Sequence, residues 1–138
     1  MKNNKLLLDD IRDIEMVISY KKDPEYSQGE WDLVKNYSEF VDYILTNGLP
    51  QLISFDHDLA DEHYTPSEYW DDYDLSKEYQ DGKSYREKTG NDCAKWLVEY
   101  CLDNKHPLPK CLVHSMNPVG ADYIKKTLSD YYNTVTQL

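Results

Sequence analysis

The residues of this chain best suited to chemistry stand at the ends of short apolar runs. Lys5 to Leu8 stops at Asp9-Asp10, Leu52-Ile53-Ser54-Phe55 stops at Asp56-His57-Asp58, and Lys110-Cys111-Leu112-Val113 stops at His114-Ser115. Carboxylates gathered in one place repel one another, and a hard divalent cation such as Mg²⁺ (or Mn²⁺) is the simplest way to stabilise them. Such an ion takes oxygen ligands and keeps waters and phosphate oxygens in its shell. Asn117-Pro118 follows as N-cap and first helical residue. Unpaired backbone N–H groups and the positive end of a helix dipole therefore come directly after Ser115, a seat for an anionic phosphate. Arg12, three residues after the first acid, can fork onto the same phosphate. His57 and His114 suit general acid–base work near neutral pH. Each residue also has a plainer reading: acids after strands are common in solvated loops, either histidine could be a satisfied structural residue, and Asp58 could simply turn the chain.

These side chains matter only if the elements before them bring them together. The runs Lys5 to Leu8, Leu52 to Phe55 and Lys110 to Val113 read as strands buried on both faces. Trp31-Asp32-Leu33-Val34 reads as an edge strand, and the loop signals at Lys21-Lys22-Asp23-Pro24 and Ser27-Gln28-Gly29 keep any helix between Ile11 and Gln28 short. From Ser38 to Asn47, Phe40, Val41, Ile44 and Leu45 recur at helical spacing behind a Ser cap, with Gly48 placed to end the helix. A second helix begins at Asp92, with Ala94, Leu97, Val98 and Cys101 on one stripe, and a last helix turns Ala121, Ile124 and Leu128 inward. Strand and helix alternate, which implies a parallel sheet with right-handed crossovers and helices on its faces. In such a sheet ligands bind beyond the carboxyl ends of the strands, where the candidate residues lie. Residues 60–88 break the pattern: they are rich in Asp, Glu and Tyr, have no sustained period, and predict an acidic, Tyr-rich insert or lid. Within them Asp71, Asp72 and Asp74 read as a solvated charge run.

Composition narrows the class of function. A length of 138 residues fits a single domain spanning 1–138. The formal charge of −11 argues against an extended nucleic-acid duplex as partner, because duplex binding relies on basic side chains. A phosphate-bearing small molecule or a short RNA end remains compatible. The three cysteines, Cys93, Cys101 and Cys111, lie in apolar stretches without a C-x-x-C pair and read as reduced core residues of a reducing compartment. The N-terminal stretch lacks the apolar length of a signal peptide or membrane span. A cytoplasmic protein without membrane attachment is the expectation.

Leu7-Leu8-Asp9-Asp10 and Phe55-Asp56 resemble the acidic pocket of response-regulator receiver domains. There two acids after the first strand bind Mg²⁺ and the acid after the third strand accepts phosphate. A closer likeness is to receiver-like proteins of bacteria and phages that are predicted to process cyclic phosphates, with the pattern L-D-D-x-R, S-x-D-H-D-L and V-H-S-x-N-x-x-G. This chain reads Leu8-Asp9-Asp10-Ile11-Arg12, Ser54-Phe55-Asp56-His57-Asp58-Leu59, and Val113-His114-Ser115-Met116-Asn117-Pro118-Val119-Gly120. The resemblance implies an α/β, Rossmann-like or flavodoxin-like receiver fold with a short parallel sheet of about four strands. The fifth strand of signalling receivers, with its Lys-Pro, is missing after His114-Ser115, which weighs against phosphorelay. It implies Asp9, Asp10, Asp56 and Asp58 as metal ligands, Asp56, His114 and His57 as catalytic groups, and Arg12, Ser115, Asn117 and Gly120 as substrate contacts. The activity implied is that of a metal-dependent phosphoesterase or hydrolase acting on a cyclic phosphate of a nucleotide or RNA end. Two alternatives stay open: a receiver-type signalling or binding module, either with Asp56 as phosphoacceptor or degenerate and partner-binding only, and, against the strand pattern, a His-Asp phosphohydrolase built on His57-Asp58.

Overall fold

A computed structural model describes residues 4–60, 71–81 and 88–136. Four strands, β1 (Lys5–Leu8), β2 (Trp31–Val34), β3 (Leu52–Phe55) and β4 (Lys110–Val113), form one sheet in the order β2-β1-β3-β4. Every pairing is parallel, with Leu8 opposite Val34 and Phe55, and Phe55 opposite Val113. The chain moves outward from β1 to β2, then crosses back to β3, so the direction of winding reverses between β1 and β3. That boundary is where an open α/β sheet opens a crevice.

The strands alternate their side chains between two cores, as the period of two demands. Leu6, Leu8, Ile53 and Phe55 meet α2 (Tyr37–Asn47), α4 (Gly90–Asp103) and α5 (Pro118–Thr136) through Phe40, Ile44, Leu97 and Ile124. Leu7 faces the other side, where α1 (Ile14–Tyr20) and a short 3-10 turn at Pro24–Ser27 supply Val17 and Tyr26. β1 and β3 are buried along their whole length, as expected of central strands. β4 differs from the fully buried strand read from its sequence: it is half-buried and Lys110 is exposed. The cause is topological, since β4 is the last strand of the sheet.

Helix starts shift from the sequence reading for local reasons. The α2 cap is Asn36, whose Oδ1 accepts from the Glu39 N–H at 2.9 Å, and Ser38 lies inside the first turn. Asn36 has the extended backbone a cap needs, and Asn ranks with Ser as a capping residue. α4 starts at Gly90, with Thr89 and Asp92 forming a reciprocal capping box, so Asp92 belongs to the first turn. Inside the acidic segment a further helix, α3 (Tyr73–Asp81), departs from the reading of 60–88 as aperiodic. Asp72 accepts from the Leu75 N–H, and Tyr73 donates to Asp122 of α5 at 2.7 Å. Few apolar residues mark this helix, so its periodicity was hidden. Asp71, Asp72 and Asp74 are exposed, in keeping with a solvated run. The rest of the proposed lid, residues 61–70 and 82–87, lies outside the described residues.

Cys93 and Cys101 are buried, Cys111 is half-buried, and all three are free thiols whose pKa burial raises. No described helix is long and apolar enough to cross a membrane.

Candidate metal and phosphate site

Because the strands end level, the residue after each continues the ladder by one step. Asp9 N–H donates to Val34, Asp56 N–H to Leu8, and His114 N–H to Phe55, each at 3.0 Å. Asp9, Asp56 and His114 therefore stand side by side at the β1/β3 crevice. Their side chains continue the face of Leu7, Ser54 and Leu112. All three are buried, and one ligand-capable atom from each lies within 4.8 Å of the others, so together they are positioned to bind a metal ion.

The two carboxylates are electrostatically unlike. Burial pushes the Asp9 carboxyl up. The bond from His114 and two backbone N–H groups, of Arg12 at 2.8 Å and Ile11 at 2.9 Å, outweigh that effect and hold it below the ordinary value. Asp56 goes the other way: burial, then the charges of Asp9 and Asp58, raise it to about 8. Its Oδ1 accepts its neighbour's backbone N–H, from His57, and its Oδ2 is buried without a hydrogen-bond partner among the described residues. A buried orphan oxygen carries a penalty of about 1–3 kcal/mol unless something binds it. Arg12 faces both acids, with Nη1 at 3.3 Å from Asp9 Oδ2 and 3.8 Å from Asp56 Oδ2, and its guanidinium lies beside the Tyr20 ring.

The other residues read from the sequence occupy distinct places. Asp10 and Asp58 fall outside the three-residue cluster. Asp58 Oδ1 lies 2.7 Å from His57 Nδ1 and accepts from the Asn117 amide at 3.1 Å. Asn117 is also the expected helix cap, its Oδ1 accepting from the Gly120 N–H at 3.1 Å, and Ser115 Oγ accepts from the Asn117 N–H. His57 is one residue out of phase with Asp56 and turns to the opposite face of the sheet, against α5. There a Cβ on Gly120 would lie 2.3 Å from the ring. Gly120 thus makes room for His57. Gly90 does the same for the backbone, since its Cβ would fall 1.7 Å from the Asp56 carbonyl oxygen.

Sequence reasoning missed the support beneath His114. Its Nε2 lies 2.9 Å from Asp9 Oδ2, its Nδ1 lies 2.7 Å from Ser54 Oγ, and Ser54 in turn meets the Tyr26 hydroxyl at 2.8 Å. Ser54, a hydroxyl two residues before Asp56 in an otherwise apolar strand, was the available signal. Tyr26 and Tyr20, whose hydroxyl donates to the His114 carbonyl at 2.8 Å, come from the loop-rich stretch and gave none.

A level row of strand-end acids beside a histidine, at the switch point of a parallel sheet, defines a receiver-type α/β domain. The chain belongs to the cyclic-phosphate processing receiver domain family, whose model matches residues 4–130. No curated protein and no solved structure matches the chain.

Proposed function

We propose that this domain is a Mg²⁺- or Mn²⁺-dependent phosphoesterase that opens a cyclic phosphate on a nucleotide or RNA end. The observation that carries the reading is the Asp56 carboxylate, buried with one oxygen lacking a hydrogen-bond partner among the described residues and set beside Asp9. Hard oxygen donors in this number suit Mg²⁺ or Mn²⁺, with Asp9 and Asp56 as the holding residues. The ion, when bound, neutralises charge on the phosphoryl oxygens. Arg12, at the partly exposed side of the same acids, adds a fixed positive group for those oxygens. The reaction balances with water alone: a water oxygen bonds to phosphorus, one ring P–O ester bond breaks, and the departing alkoxide takes a proton to leave a phosphate monoester. Free buried thiols fit the reducing, cytoplasmic setting expected of the chain. A net charge of −11 favours small or single-ended substrates over a duplex.

A screen of 2′,3′-cyclic nucleotides, cyclic-phosphate RNA ends and ADP-ribose cyclic phosphate with Mg²⁺ or Mn²⁺ tests the proposal, run beside Asp56→Asn and His114→Ala. Turnover by the wild type with loss in both variants supports it, and equal activity in all three ends it. The same orphan oxygen of Asp56 also favours a second reading, a receiver that accepts phosphate at Asp56. Incubation with acetyl phosphate and Mg²⁺ separates the two, because only that reading requires a lasting adduct on Asp56.

A further inference from the structure

We infer that Tyr20 is a positioning residue that holds the Arg12 guanidinium beside Asp9 and Asp56, short of a fork onto either, as a preformed seat for a phosphoryl group. This role rests on the proposed reading of the pocket as a phosphate site and names the residue that prepares it.

The two acids alone do not account for where Arg12 stands. An arginine free to pair with a carboxylate forks onto it through two contacts of about 2.7–2.9 Å. Arg12 instead makes one hydrogen bond to Asp9, from Nη1 to Oδ2 at 3.3 Å, and its Nη1 stays 3.8 Å from Asp56 Oδ2. A guanidinium carries N–H groups enough for several acceptors, and among the described residues Asp9 engages one of them. The Arg12 side chain is 19% exposed beside two buried acids, so the others can meet an anion that arrives from solvent.

The Tyr20 ring supplies the competing attraction. Arg12 Cζ lies 5.7 Å from the ring centroid, within the range over which a cation is drawn to an aromatic face. A guanidinium on such a face leaves its edge free for oxygen acceptors. The ring is itself fixed at both ends. Its backbone closes α1, and the side chain packs against the smaller core with Val17. Its hydroxyl donates to the His114 carbonyl at 2.8 Å, from a residue 94 positions away. A carbonyl only accepts, so the direction of that bond is settled. Burial, the largest influence, pushes the phenol up to about 12, so Tyr20 keeps its proton at neutral pH. Tyr20 thus ties α1 to the end of β4, and the guanidinium rests on a brace anchored in both. An arginine held this way has given up its side-chain freedom before a ligand comes, so less is lost on binding.

NMR spectra of the metal-free full chain, together with titrations of inorganic phosphate into the protein saturated with Mg²⁺, test the assignment. In the wild type the Arg12 side-chain protons should lie upfield of ordinary arginine values, shifted by the ring, and phosphate should bind. Tyr20→Phe keeps the ring; it should preserve the upfield shift and weaken phosphate binding about threefold at most. Tyr20→Leu removes the ring; it should return the Arg12 signals to ordinary values and weaken phosphate binding about tenfold. In an Arg12→Gln background Tyr20→Leu should change phosphate affinity by less than about twofold, a coupling that a role in folding alone would not produce. Unshifted Arg12 signals, a wild type that binds no phosphate, or an equal loss from Tyr20→Leu with and without Arg12 overturns the proposal. The wild-type spectrum decides the point even if Tyr20→Leu does not fold. The expected shift and coupling without turnover of any cyclic phosphate would count against the proposed reaction and leave the role of Tyr20 standing.

Discussion

Arg12 Nη1 stands 3.8 Å from Asp56 Oδ2, inside Coulomb range and outside hydrogen-bond range. The guanidinium offsets the pocket's negative charge without using the lone pairs of Asp56. Arg12→Gln removes that offset from two buried acids. The metal-free variant should lose about 1–3 kcal/mol of stability. Its gain in Tm on adding Mn²⁺ should exceed that of the wild type, because the ion no longer competes with a fixed cation. Thermal melts with and without Mn²⁺ check this, and an unchanged metal-free Tm would contradict it.

Asp56 makes the metal-free fold sensitive to rising pH. Its folded pKa of about 8 is above the ordinary carboxylate value. Between those two values the folded state holds a proton that the unfolded state has released, so stability falls as pH rises through that window. Asp56→Asn abolishes the effect. At pH 7 without metal it should be the more stable protein by on the order of 2–4 kcal/mol, with the advantage gone near pH 4. Urea unfolding at both pH values measures the difference.

Metal binding must displace the same proton. Affinity for Mg²⁺ should rise about tenfold per pH unit toward pH 8 and level off above it. Calorimetric titrations across that range should also record close to one proton released per ion at pH 6. Affinity independent of pH would place the ion elsewhere.

The two glycines packed against the segment that follows β3 should not respond alike. A Cβ on Gly90 collides with the Asp56 backbone carbonyl, which cannot move without breaking the sheet end, so Gly90→Ala should prevent folding or lower Tm steeply. A Cβ on Gly120 collides with the His57 side chain. Gly120→Ala should therefore be partly rescued by His57→Ala, a pairing that double-mutant melts can quantify.

Much of this architecture was legible because its signals are local. Apolar runs ending in acids located β1 and β3, a run ending in His114-Ser115 located β4, and Asn117-Pro118 located the start of α5. The juxtaposition of Asp9 and Asp56 followed from the expected parallel pairing, which the Leu8–Phe55 register bears out. Other features were illegible for physical reasons. The exposure of β4 depends on which strand is last in the sheet, and α3 is made of polar residues held by contacts with α5. The faces taken by the two histidines were not legible: the alternation of strand side chains sends His114 into the pocket and His57 to the far face. Tyr26 reaches Ser54 across 28 residues, a pairing no local pattern encodes.

Asp9 and His114 are 105 positions apart in the chain. During synthesis both carboxylates emerge well before the imidazole that settles one of them, and the long loop between must close before the contact forms. The cation centre is thus a late product of assembly. An ion taken up there would report that the last strand has docked, and so would act as a sensor of completed folding.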